Sequence, residues 1–201
     1  MKLPVRNSRL ILASTSPRRR DLLEQTGLEF TVIPSNLAED SIPRSSPESY
    51  VERLAEAKAK EISQRHRDSW VIAADTIVIS NNTVLGKPES RPEALKMLRS
   101  LSGKTHQVLT GYCICCAAIG RLFSETIKTE VRFKTLTELQ IEWYLNSGEP
   151  FDKAGAYGIQ GIGAFLVKHI HGSYTNVVGL PVCEVFEFLI NEGVVELMID
   201  E

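Results

Sequence analysis

The chain has 201 residues, 43% hydrophobic and 24% charged, with a net charge of −2. That length suffices for one sizeable core or for two lobes sharing a sheet, and the charge provides no global basic field to hold a nucleic-acid polymer, so any anion must meet a local cluster. No apolar run reaches the roughly 18 residues a membrane helix needs, and with no signal-peptide pattern the expected compartment is the cytoplasm.

In chain order, a strand over Arg9–Ala13 leads into a helix over Pro17–Thr26 and a strand over Glu29–Pro34. Ser16 stands where an N-cap belongs, Pro17 at the first helical position and Gly27 at the stop. Arg18, Arg19 and Arg20 crowd the first turn of that helix. The helix dipole is already positive there, and each cation costs roughly 0.3–1 kcal/mol. Such a cluster calls for an anion.

A proline-containing loop precedes a helix from about Pro47 to Arg67. WVIAADTIVIS reads as a nearly unbroken strand, and Asn81-Asn82 as a hairpin turn into TVLGKP. A helix over Arg91–Leu101 and two long strands, His106–Ile119 and Arg121–Lys134, follow. Thr137 and Gln140 form a capping box for a helix over Glu138–Ser147. A glycine-rich passage, a strand ending AFLVKHIHG and a helix after Pro181 complete the order. Hairpins interrupt the βαβ rhythm, so the expected architecture is α/β or α+β with a mixed sheet.

Certain polar residues fall in apolar settings. Asp75 lies inside WVIAADTIVIS, on the same face as Val71, Ala73, Ile77 and Ile79 by period-2 alternation. An ionised carboxylate there is expensive unless paired, hydrogen-bonded or metal-bound, which marks a site more readily than a structural cap. Lys58 falls on the helical stripe of Val51, Leu54, Ala55 and Ile62, and either snorkels to the rim or aims its ammonium into a cleft. Lys87, in LGKPE, is braced by Gly86 and Pro88 on the hairpin that begins with Asp75. In DKAGAYGIQGIGAFLV, dense glycines let backbone approach a ligand or simply turn the chain, and the Gln160 amide offers both a donor and an acceptor to a base edge. Glu39, in NLAEDS, could add a second carboxylate to a divalent ion or be an ordinary loop acid.

Other chemistries find less support. Cys113, Cys115 and Cys116 sit in a β-like run with no finger-like partners, and Cys183 stands apart, so reduced core thiols are expected rather than zinc ligands. His66, His106, His169 and His171 lack partner spacing, and no GxSxG elbow is present.

The motifs STSPRR at 14–19, AADT at 73–76, GKP at 86–88, AGAYGIQG at 154–161 and NVVGLP at 176–181 together resemble the Maf family, in order along almost the whole chain. The resemblance implies a single domain over residues 1–201, two-lobed with a mixed sheet and flanking helices, similar to the inosine triphosphate pyrophosphatase-like fold, with one cleft between the lobes. It implies hydrolysis of a nucleoside triphosphate between the α and β phosphates, giving a monophosphate and pyrophosphate with Mg²⁺ or Mn²⁺. By resemblance Arg18, Arg19, Lys58 and Lys87 bind substrate, Asp75 is the catalytic acid residue, as general base or metal ligand, and Glu39 is a further acidic position at the metal. Members that prefer uridine and thymidine triphosphates carry Arg, Thr and Gln where this chain has Arg18, Thr76 and Gln160. A sister group that resembles 7-methylguanosine triphosphate pyrophosphatases has an aromatic, a Gln and a Glu instead. Gly86 departs from pyrimidine-type members that have Glu there. Relatives often look like homodimers, and the family name comes from septum formation. The competing reading is a nucleotide-sensing regulator of cell division without turnover.

Overall fold

The computed structural model describes residues 9–38, 42–43 and 46–197. Its elements are β1 (Leu10–Leu12), α1 (Pro17–Glu24), β2 (Thr31–Val32), α2 (Pro47–Arg65), β3 (Trp70–Ser80), β4 (Thr83–Leu85), α3 (Arg91–Leu101), β5 (Thr105–Cys116), β6 (Arg121–Phe133), α4 (Glu138–Asn146), β7 (Val167–His171), α5 (Tyr174–Val178) and α6 (Val182–Asn191). Hydrogen bonds order the strands β2-β1-β3-β5-β6-β7, with β4 on β3, in one seven-stranded sheet. β1 runs parallel to β2 and β3. The β3–β4 and β6–β7 pairs are antiparallel, so the sheet is mixed, as a chain that alternates crossovers with hairpins requires. No helix among the described residues is long and apolar enough to cross a membrane.

The chain divides into two compact units, the first drawn from Met1–Asp75, Thr110–Thr126 and Gly179–Glu201, the second from Thr76–Leu109 and Ile127–Val178. In the first unit Ile11 of β1, Ala13 just beyond it, and Val71 and Ala73 of β3 pack with Ala55, Ala59 and Ile62 of α2 and with Cys113 and Cys115 of β5. The alternation along β3 and the helical stripe on α2 are therefore two halves of one core. All four cysteines are free thiols, and the three in β5 are buried. Helix α2 starts where the Ser46 side chain accepts the Ser49 N–H, with proline in the first turn.

The second unit has its own core, in which Val78, Leu98, Leu101, Phe133, Tyr144, Leu145 and Leu166 are prominent. Asn81 and Asn82 both adopt positive φ, 49° and 61°, the left-handed pair that a two-residue hairpin turn demands. The capping box at Thr137 and Gln140 is fully formed. The buried His106 meets the edges of Phe133 and Tyr157, at centroid separations of 5.0 and 5.3 Å.

Three features differ from the sequence expectation. The strand expected over Glu29–Pro34 contracts to Thr31–Val32 at the sheet edge, where these two residues pair with Ile11 and Leu12 of β1. Helix α1 stops at Glu24, where Thr26 Oγ1 donates to the Leu23 carbonyl at 2.6 Å, and Gly27 supplies the left-handed φ of 79° just beyond. The strand expected to end AFLVKHIHG is confined to Val167–His171, because the glycine-rich passage before it folds into 3-10 turns over Ala154–Ala156 and Gly161–Leu166.

Candidate active site

In the first unit, parallel β1 and β3 are in register at Leu12 and Ile72, and the Ala13 N–H extends that pairing to the Ile72 carbonyl at 2.7 Å. β1 therefore ends opposite Ile72 and turns into α1, while β3 runs on past Asp75 to Ser80. Carboxyl ends of parallel strands are the edge at which open α/β sheets bind ligands. The turn into α1 is held by Ser14, whose Oγ accepts the Ser16 N–H at 3.1 Å. Ser16 occupies the N-cap position in extended conformation but its own side chain makes no cap bond, so the amides of the first turn are not closed off by their cap residue.

The three arginines of that turn separate by role. Arg20 is exposed and sits 3.5 Å from each of Asp21 and Glu24 on its own helix. Arg19 donates from Nε to the Gly179 carbonyl at 2.6 Å and from an η-nitrogen to Ser14 Oγ at 3.4 Å, so it braces the turn. Arg18 is half-buried. No acid stands in the first turn to offset the dipole.

Lys58 resolves in favour of the inward-facing alternative. Its Nζ donates to Asp75 Oδ1 at 2.7 Å, and the two side chains are only 13% and 15% exposed. Periodicity explains the meeting: Asp75 follows Val71 and Ala73 on the face that packs against α2, and Lys58 continues the stripe of Ala55, Ala59 and Ile62. The pair extends the apolar seam between strand and helix at its polar end.

In the second unit the structure joins the turn carrying Lys87 to the passage carrying Gln160: the Gly155 N–H donates to the Gly86 carbonyl at 3.0 Å. Gly155 has φ +69°, and a Cβ there would lie 3.1 Å from the Val78 side chain, so the passage also rests against β3 two residues beyond Thr76. Lys87 is exposed, while Thr76 and Gln160 are half-buried. Glu39 lies outside the described residues. Sequence reasoning passes over Tyr144 and Glu149, whose side chains hydrogen-bond the same glycine-rich passage. The available signal was an acid at the head of a glycine-rich run.

Among the described residues no three of His, Cys, Asp and Glu gather as a metal-binding group. Asp75, the described carboxylate, fits the part a protein plays toward Mg²⁺ or Mn²⁺, which bind through one or two carboxylates and complete their shell with water and substrate phosphates.

A seven-stranded mixed sheet flanked by helices, with charged groups at strand ends, defines a protein of the inosine triphosphate pyrophosphatase-like fold. Two solved structures are similar in fold: a HAM1 protein from Coxiella burnetii (TM-score 0.50, 14% identity, 92% of this chain and 99% of that one) and the Staphylococcus aureus Ham1 protein (TM-score 0.50, 14% identity, 92% and 100%). The chain belongs to the Maf family, whose description, Maf-like protein, matches residues 9–192. Two relatives called dTTP/UTP pyrophosphatase are similar throughout. That of Syntrophotalea carbinolica is 47% identical over 95% of this chain and 88% of its own. That of Halalkalibacterium halodurans is 52% identical over 86% and 90%.

Proposed function

We propose that this protein is a nucleoside triphosphate pyrophosphatase that hydrolyses dTTP and UTP to the monophosphate and pyrophosphate, a house-cleaning activity on nucleotides. The observation that carries the reading is the Lys58–Asp75 pair, 2.7 Å apart, with Asp75 within β3 three residues beyond Ile72, the partner of the last residue of β1 before the arginine-bearing turn into α1. Names shared by relatives of 45–52% identity support the same substrates.

In this reading water attacks the α-phosphorus in line: the new O–P bond forms, the bond from the α-phosphorus to the bridging oxygen breaks, pyrophosphate leaves with the electron pair, and the water's proton passes to Asp75 as general base or, where Asp75 holds the metal, to solvent. A bound divalent cation supplies neutralisation of phosphate charge and a more acidic water. Asp75 is the described residue that would hold it, with Glu39 as a second carboxylate. Lys58 neutralises Asp75 before substrate arrives and supports the triphosphate charge afterwards. Arg18, the first-turn amides of α1 and Lys87 are assigned to the phosphates, where preorganised donors count most as charge moves to the leaving group. Arg19 is assigned to the substrate as well, while its bonds to the Gly179 carbonyl and Ser14 hold the turn in shape. Thr76 and Gln160 are assigned to the base.

The test is an end-point assay with each common NTP and dNTP in Mg²⁺ or Mn²⁺, scoring pyrophosphate and orthophosphate separately. Pyrophosphate chiefly from dTTP and UTP is expected. Orthophosphate alone would overturn the reaction, and tight UTP binding without product would bring forward the nucleotide sensor.

A further inference from the structure

Gln160 is gripped from both sides. Two residues before it, the Gly158 N–H donates to Tyr144 Oη at 3.1 Å, and that hydroxyl donates to Glu149 Oε1 at 2.9 Å. Two and three residues after it, the Ile162 N–H donates to Glu149 Oε2 at 2.9 Å and the Gly163 N–H to Glu149 Oε1 at 3.0 Å. One phenol and one carboxylate thus take up three backbone donors that bracket a single glutamine.

The grip is itself anchored. Tyr144 is fully buried in the core under α4. The Glu149 N–H donates to Ser147 Oγ at 3.2 Å, and Lys153 Nζ donates to the Glu149 carbonyl at 2.6 Å. The glycines are what allow the approach. A Cβ on Gly161 would lie 2.7 Å from Glu149 Oε2, and one on Gly163 would lie 2.3 Å from the Gly158 carbonyl oxygen and 2.6 Å from the Tyr144 hydroxyl. Water could satisfy the amides of an ordinary surface turn. A charged acceptor with two or more backbone donors on it makes shorter, more directional bonds and fixes where the chain runs.

We propose that Glu149 and Tyr144 are positioning residues for base selection, fixing the backbone on either side of Gln160 so that its amide meets the pyrimidine edge at one distance and angle. The inference rests on the reading of Gln160 as the residue that faces the base. Its physical basis is that discrimination by hydrogen bonds needs the reading group held to within about 0.5 Å, which a flexible side chain achieves only on a fixed backbone.

The experiment compares kcat/KM for dTTP and for ATP in wild type, Tyr144→Phe, Glu149→Gln, Gln160→Ala and the double variant Tyr144→Phe with Gln160→Ala. Tyr144→Phe keeps the buried ring and removes the hydroxyl. Glu149→Gln keeps the shape but turns an N–H₂ group toward backbone N–H donors. Each is expected to lower the dTTP-to-ATP ratio by about tenfold or more, chiefly through a higher KM for dTTP. Amide hydrogen exchange across residues 158–163 should quicken in Tyr144→Phe, and adding Tyr144→Phe to Gln160→Ala should lower the ratio no further. If Glu149→Gln does not fold, Tyr144→Phe and Glu149→Asp carry the measurement. An unchanged ratio in folded Tyr144→Phe, an equal fall for both substrates, or independent effects in the double variant would each overturn the positioning role. A wild-type ratio in Gln160→Ala would overturn the base-reading assignment itself, and that variant alone reports it.

Discussion

Lys58 Nζ lies 2.7 Å from Asp75 Oδ1, with both side chains largely withdrawn from water. Removing one member leaves a poorly solvated charge without its counterion, a cost of about 1–3 kcal/mol once partial exposure is allowed for. Lys58→Ala should therefore lower stability as well as turnover. Asp75→Asn keeps the shape and a hydrogen-bond acceptor for Lys58 but removes the charge. It should fold, with turnover of dTTP down by roughly 100-fold or more. Thermal melts beside steady-state rates separate the two effects, and near-normal turnover in Asp75→Asn would remove Asp75 from the mechanism.

Arg18 stands in a helix turn that contains no acid, and the proposed function assigns it to the substrate phosphates. Arg18→Gln should raise KM for dTTP by about tenfold with a smaller change in kcat, the pattern of a group that binds substrate and transition state alike. The wild-type KM should also rise with salt more steeply than the variant's, because the charge that salt screens is already gone. Equal salt dependence in the two proteins would place Arg18 away from the phosphates.

The amide of Gln160 can donate and accept, as a uracil-like edge requires, whereas a carboxylate only accepts. Gln160→Glu should cut kcat/KM for dTTP and UTP by about 10–100-fold and shift relative preference toward guanine nucleotides, whose edge presents donors. Rates measured over a full set of triphosphates check this. A uniform fall across all bases would mean that residue 160 shapes the loop without reading the base.

The faces that carry Asp75 and Lys58 were legible, from period 2 in β3 and the helical stripe in α2, but their pairing was not, because neither periodicity says that the two faces meet. Local signals with a defined backbone chemistry were equally readable: the Asn81-Asn82 turn and the Thr137–Gln140 box both form as expected. The backbone contacts of Arg19, Tyr144 and Glu149 were not. Arg19 meets a carbonyl 160 residues away in sequence, and Glu149 is used through backbone amides 13 and 14 residues on. Backbone partners leave no residue-type signature, so no spacing rule finds them. Helix α5 was missed for a related reason, since a five-residue helix has too few turns to show a period.

Gly111 in β5 lies against the backbone of α2: an added Cβ would stand 2.4 Å from the Val51 carbonyl carbon and 2.5 Å from the Glu52 nitrogen. Neither atom is the tip of a flexible side chain, so helix and strand must separate to admit even a methyl group. Gly111→Ala should cost about 1–3 kcal/mol or more. Because α2 also carries Lys58, the shift should lower kcat in the protein that remains folded. A variant with wild-type melting temperature and rate would contradict this close approach.

His106 is 2% exposed, its Nε2 lies 2.8 Å from the Tyr157 hydroxyl, and its Nδ1 has no hydrogen-bond partner among the described residues. Phe133 covers the ring from another side. Burial away from water disfavours the imidazolium and pushes the folded-state value down to about 4 from 6.5. In the unfolded chain the same histidine takes up a proton as pH falls through 6.5, while the folded protein does not until about pH 4. Between those values the unfolded state binds more protons, so folding free energy falls as pH falls. The contribution is fully present above pH 6.5, and by about pH 4.5 some 2–3 kcal/mol of it should be gone. His106→Gln keeps a polar partner for Tyr157 and removes the titration. Urea unfolding at pH 8 and pH 4.5 should show a smaller loss of stability in the variant than in wild type by that amount, whatever the variant's stability at pH 8. Equal losses would mean that His106 is protonated in the folded protein at the lower pH, and that its surroundings are wetter than the packing of Phe133 and Tyr157 allows.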